Sequence, residues 1–121
     1  MAVNPNDTEE AIWAWLCESQ LVGPAEASTR LLEVGYDARP VLRASYQACR
    51  ETSPELIAQA MAIDGSAGGR FYGLLYEGLW YEAHGERERA RAKYEDAVRS
   101  AYAKGSNDYM VAVAKGLMLR S

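Results

Sequence analysis

Hydrophobic positions recur at three- and four-residue intervals along almost the whole of this chain, and no stretch shows the one-by-one alternation of a half-buried strand. This spacing predicts an all-α protein of seven helices. The first, roughly residues 7–21, places Ile12, Trp13, Leu16, Cys17 and Gln20 on one face. Asp7 or Thr8 is its expected cap, and Glu9 and Glu10 stand in the first turn, where the helix dipole favours negative charge. Gly23 and Pro24 then break the chain, and a second helix should run to about Val34 before Gly35 stops it. Pro40 opens a third, to about Arg50, that presents Val41, Leu42, Tyr46 and Cys49. Thr52, Ser53, Pro54 and Glu55 signal the start of a short fourth helix ending near Ile63. The run DGSAGG, residues 64–69, reads as the most flexible segment.

The fifth helix, roughly 69–84, is apolar around nearly its whole circumference, so it should be central and pack on more than one side. A sixth is expected over 86–104. Ser106 or Asn107 should cap a seventh over 107–119, which offers Tyr109, Met110, Val113 and Leu117 as a covering face. His84 falls at the C-terminal end of the fifth helix, just before the Gly85 turn.

Within Leu74–Val98, small and aromatic residues fall at fixed intervals: Gly78 and Ala90 permit close approach of two antiparallel helices, and Tyr81 and Tyr94 fill the space beside them. Leu74, Gly78, Tyr81, Ala90, Tyr94 and Ala97 together resemble a tetratricopeptide repeat over residues 71–104. Glu77 departs from the pattern, standing where a leucine is usual. Tyr102 replaces the proline that commonly closes the second helix, which predicts one continuous helix to about Lys104 and a break at Gly105. The pairs at about 7–34 and 40–63 read as degenerate hairpins of the same kind, and 69–104 as the clear one. The resemblance implies a single domain over residues 1–121: a short right-handed solenoid closed by the last helix.

In that family the first helix of each hairpin lines a concave surface. The resemblance therefore puts Tyr72, Leu75, Leu79, Glu82 and Ala83 on a partner-binding face, unless other helices cover them as core. Family members that capture a terminal carboxylate use Lys and Asn there. Leu75 and Leu79 take the matching places, which fits an apolar peptide or helix better than a carboxylate clamp.

Charge refines the picture. The chain of 121 residues has a formal net charge of −4, which argues against nucleic acid and anionic membranes as partners. Residues 1–64 carry ten acidic and four basic side chains, net −6, whereas residues 65–121 carry seven and nine, net +2. No apolar run is long enough for a membrane helix and the N-terminus lacks the pattern of a secretion signal, so a soluble, cytoplasmic protein is expected, or an organellar one after removal of a presequence.

Candidate chemistry is sparse. Cys17 and Cys49 lie far apart with His84 as the single histidine, so no zinc or redox motif forms, and both cysteines are expected to be buried thiols. No nucleophile, base and orienting group fall in a recognised order, so no catalytic residue, metal or cofactor is expected. Arg87, Arg89, Arg91, Lys93 and Arg99 on the sixth helix are interleaved with Glu88, Glu95 and Asp96, which suggests a solvated face with a Glu95–Arg99 pair. The glycines before Arg70 lack the ending of a phosphate loop; an anion held there by backbone N–H groups is the residual reading. The expected function is a protein-binding adaptor centred on the fifth helix. The alternative is a structural subunit of a homo-oligomer or larger complex, for which Trp13, Trp15 and Trp80 supply apolar surface.

Overall fold

The computed structural model describes residues 5–31, 33–34, 37–51 and 53–120, and of residues 5–7 the backbone alone. These residues form eight helices and no strand. Helix α1 (Pro5–Val22) starts earlier than its polar residues suggest, with proline in a first turn where its missing N–H costs nothing. Thr8 is therefore inside the helix and buried rather than capping it, and the side chain of Asp7 lies outside the described residues.

Helix α2 (Pro24–Thr29) ends well before Val34. The N–H groups of Arg30 and Leu31 turn back to the carbonyls of Ala27 and Ser28, three residues earlier, and Glu33 and Val34 are not helical. Ser28 is fixed by its neighbours: its hydroxyl accepts from Trp15 Nε1 at 3.1 Å and lies 2.6 Å from the Cys49 carbonyl. Periodicity carries no sign of that tie. The expected stop at Gly35 lies outside the described residues.

Helices α3 (Pro40–Glu51) and α4 (Glu55–Asp64) follow, with Gly65 ending α4 at φ +69°, a left-handed conformation that glycine adopts without strain. Ser53 binds the Glu55 carboxylate at 2.7 Å instead of capping α4, and Thr52 lies outside the described residues. Helix α5 (Ala67–Ala83) begins inside the supposed flexible segment, because Ser66 accepts the Gly69 N–H at 3.0 Å and draws Ala67, Gly68 and Gly69 into a first turn. At its other end Gly85 has φ +77°, and the N–H groups of Gly85 and Glu86 return to the carbonyls of Glu82 and Tyr81.

The single helix expected over 86–104 is two: α6 (Arg87–Val98) and α7 (Ala101–Gly105). Ser100 causes the break. Its hydroxyl caps α7 at the Ala103 N–H and bonds the Ala97 carbonyl at 2.7 Å, an alternative to helical bonding that serine offers readily. Helix α8 (Tyr109–Arg120) is capped by Asp108 rather than Ser106 or Asn107, with Oδ1 accepting the Met110 N–H at 2.9 Å.

Packing follows chain order. Helix α1 lies against α2, α3 against α4 and α5 against α6, while α1, α3 and α5 touch in series and α6 packs on α8. Helices α5 and α6 are antiparallel: Tyr81 meets Arg89, Gly78 meets Tyr94 and Glu77 meets Lys93. A Cβ on Gly78 would fall 2.4 Å from the Tyr94 ring, so only glycine permits this approach. Leu74, Ala90, Tyr94 and Ala97 are buried beside it, and Tyr81 is half-buried with the Arg89 guanidinium over its ring. Helix α1 also crosses onto α5, running parallel to it, with Glu9 at Tyr76 and Trp15 at His84. Trp15 and Trp80 are buried, and Trp80 Nε1 donates to the Ala48 carbonyl at 3.2 Å. No helix among the described residues is long and apolar enough to cross a membrane.

Candidate functional site

The face expected to be open on α5 is largely filled. Leu75 and Leu79 are 0% and 1% exposed, and Ala83 is buried, in a helix that packs against α1, α3, α4 and α6. Of the five residues, only Tyr72 and Glu82, near the two ends of the helix, keep appreciable surface. The apolar circumference of the fifth helix was the signal for this: a helix without a polar face has neighbours all round.

At the C-terminal end, Glu82 accepts from Tyr94 Oη at 2.8 Å and from Arg120 Nη2 at 3.2 Å, tying α5 to α6 and α8. Burial and the Glu82 carboxylate push the Tyr94 phenol up, so it stays a donor. A polar cleft of about 350 Å³ opens there between Gln20, Arg87 and Arg120.

The N-terminal end is different in character. A cleft of about 620 Å³ lies where α1, α5 and α8 come together, lined by Glu9, Glu10, Trp13, Tyr72, Tyr109 and Met110. Tyr109 is 74% exposed, while Trp13 and Tyr72 are half-buried. Tyr72 is held firmly: its ring packs edge-on against Phe71 and stacks with Tyr76, and its hydroxyl donates to Asp108 Oδ2. Tyr102 donates to the same oxygen at 2.8 Å. Burial alone would raise the Asp108 carboxyl, but the hydrogen bonds from Tyr72, the Met110 N–H and Tyr102 outweigh it and hold the group below the usual aspartate range. Burial raises the Tyr72 phenol in turn, and its bond to Asp108 adds to this, so the proton stays on tyrosine.

Behind the cleft, Tyr76 Oη donates to Glu9 Oε2 at 3.2 Å, and Arg39 Nη1 donates to Glu9 Oε1 at 2.9 Å. The same guanidinium clasps Asp37, with Nε to Oδ1 at 3.1 Å and Nη2 to Oδ2 at 2.9 Å. Asp37 is buried, which by itself would raise its carboxyl; the bonds and charge of Arg39 bring it below the usual range. This network was not legible in the sequence. Glu9, Asp37 and Tyr76 are widely separated along the chain, and none sits in a motif.

Cys49 is buried, which pushes its thiol up, but Cys17 is exposed: α1 turns that flank of its amphipathic face to solvent. Glu95 pairs with Arg91 at 3.3 Å rather than with Arg99, because α6 ends at Val98. At the start of α5 the N–H groups of Ser66 and Gly69 already bond Asp64 and Ser66 side chains, and a carboxylate rather than a vacant cradle stands beside Gly69. His84 Nδ1 lies 2.8 Å from the Trp80 carbonyl, with the imidazole stacked on the indole at 3.7 Å. Among the described residues no group of His, Cys, Asp and Glu could hold a metal ion.

What the N-terminal cleft offers chemically is three aromatic rings and carboxylate charge at one opening. The chain matches no protein-family model, no curated protein and no solved structure.

Proposed function

We propose that this chain is a protein-interaction module of the tetratricopeptide type, which receives a segment of a partner protein in the cleft between α1 and α8 at the N-terminal end of α5. The observation that carries the reading is the aromatic lining of that cleft: Trp13, Tyr72 and Tyr109 face about 620 Å³ of open space, and Tyr109 is left mostly to solvent. Amphipathic rings that lose little freedom on binding are the residues that dominate protein recognition. Support for the repeat type comes from the hairpin of α5 and α6, closed by Gly78 against Tyr94 with Ala90 and Ala97 buried alongside, and from the succession of paired helices before it. The binding surface moves from the middle of α5, where the sequence suggests it, to one end.

A photo-crosslinking amino acid placed at Tyr109, and separately at Ile63 as an exposed position on α4, tests the reading in native lysate. Crosslinking of a distinct protein at position 109 and not at 63, lost in a Trp13→Ala background, is the expected result. Equal capture at both positions, or a stable homo-oligomer in light scattering whose contacts bury Tyr109, would turn the reading toward a structural subunit.

A further inference from the structure

We infer that the occupant of the α1–α8 cleft is a basic segment of a partner protein, which inserts a lysine or arginine side chain among Trp13, Tyr72 and Tyr109 and places it opposite Glu10. This rests on the cleft being the binding site, and adds the chemistry of what binds there.

Charge complementarity carries the argument. Glu10 is exposed at the rim and makes no ion pair among the described residues. Asp108, beneath Tyr72, receives its hydrogen bonds from two phenols and a backbone N–H, all neutral donors, so its charge is delocalised but not cancelled. Arg39, which reaches Glu9, is itself engaged by both Glu9 and Asp37, so its charge is met by two carboxylates. The opening therefore carries negative charge, within a half of the chain whose net charge is −6.

The rings select further. A cation over an aromatic face is attracted by the ring quadrupole, and the attraction grows when water is partly excluded, as it is between helices. Tyr72 is a good face for this, since a phenol that donates to a carboxylate is the more electron-rich for it. An acidic segment would meet Glu10 and Asp108 as like charges. A purely apolar one would strip water from Glu10 and return nothing. Only a cationic side chain with an apolar stem satisfies the rings, Met110 and the carboxylates together.

The test uses the full chain labelled with ¹⁵N and three short soluble peptides: lysine–glycine, glutamate–glycine and leucine–serine. The indole N–H of Trp13 and the backbone signals of Tyr109 and Met110 are followed on titration. Expected is a saturable shift at these positions with the lysine peptide alone. It should weaken as salt is raised, and by about fivefold or more in Tyr109→Ala, the loss of one exposed-to-partly-desolvated cation–π contact. Glu10→Lys should abolish it, and both residues are exposed enough that neither change threatens the fold. If the leucine or glutamate peptide shifts the cleft and the lysine peptide does not, the cationic assignment is wrong while the cleft remains a binding site. Shifts from the lysine peptide that spread over the acidic surface and ignore Glu10→Lys overturn the assignment as non-specific attraction. No perturbation of the cleft by any peptide overturns the cleft reading itself. Concentration-dependent shifts at Tyr109 without peptide would instead identify a second copy of the chain as occupant, and overturn a separate basic partner.

Discussion

The phenol of Tyr72 on α5 donates a hydrogen bond to the carboxylate of Asp108, 36 residues further along the chain, and the other oxygen of that carboxylate caps α8. One side chain thus starts the last helix and fastens it to the central one. Tyr102 joins the same carboxylate from α7, so three helices meet at it.

Replacing Asp108 by alanine removes the cap and strands both phenols, with an expected loss of about 1–2 kcal/mol in urea denaturation at neutral pH. Tyr72→Phe should cost less, about 1 kcal/mol, because the carboxylate keeps its other two donors. The sign of the pH dependence follows from the lowered carboxyl. Its stabilisation is complete above the ordinary aspartate range and is lost as pH falls through the folded-state value, and Asp37 acts in the same direction. Urea midpoints measured from neutral pH downwards should fall more steeply in the wild type than in Asp108→Ala.

Glu77 poses the opposite case. It is buried on α5, where burial raises its carboxyl and Lys93, at 3.4 Å, offsets this only in part. Its folded-state proton affinity exceeds the unfolded one, so its contribution is present below the ordinary glutamate range and lost as pH rises through the raised value. Glu77→Leu should therefore stabilise at neutral pH, by about 1–2 kcal/mol, since Lys93 can turn to water. Lys93→Ala should destabilise by a similar amount, with the difference from wild type narrowing at lower pH as Glu77 takes up its proton. Thermal unfolding across pH separates the two.

Gly78 and Gly116 are both helical glycines, and alanine should act on them with opposite sign. At Gly116 nothing lies within 4 Å of a new Cβ, so Gly116→Ala should stabilise by about 0.5–1 kcal/mol through helix propensity. At Gly78 the methyl would meet the fully buried Tyr94 ring, anchored to Glu82, and Gly78→Ala should cost about 1–3 kcal/mol. Gly73 is intermediate: its added methyl meets Met61, a flexible side chain that must shift to admit it. Chemical denaturation of the three variants gives the order directly.

Arg39 links α1 to the approach to α3 through Glu9 and buried Asp37. Arg39→Ala should destabilise by about 2–3 kcal/mol, because it leaves Asp37 charged and buried. Asp37→Asn should recover part of that loss in the double variant. A double-mutant cycle measures this coupling.

Helix type and most helix centres were legible because they rest on local rules. Three- and four-residue spacing placed the apolar faces, Pro40 began a helix, and Gly85 supplied the left-handed turn after α5. Helix ends were less legible. Ser66 and Ser100 choose among local capping and turning bonds that spacing alone does not rank, and Ser28 and Asp108 are also tied to atoms far along the chain. The candidate site was read only in part: Tyr72 and Glu82 keep their surface, but Leu75 and Leu79 do not.

The sequence by itself determined that this protein is helical, that its fifth helix is central, and that Gly78 and Tyr94 belong to one close helix pair, because propensity, periodicity and side-chain size act within a few turns of chain. Only the tertiary structure decided that α1 meets α5 at Tyr76 and His84 and that Glu9, Trp13, Tyr72 and Tyr109 share an opening with α8. Those juxtapositions depend on how far each hairpin rotates on the last. That rotation is set by the summed packing of many side chains, which no local spacing encodes.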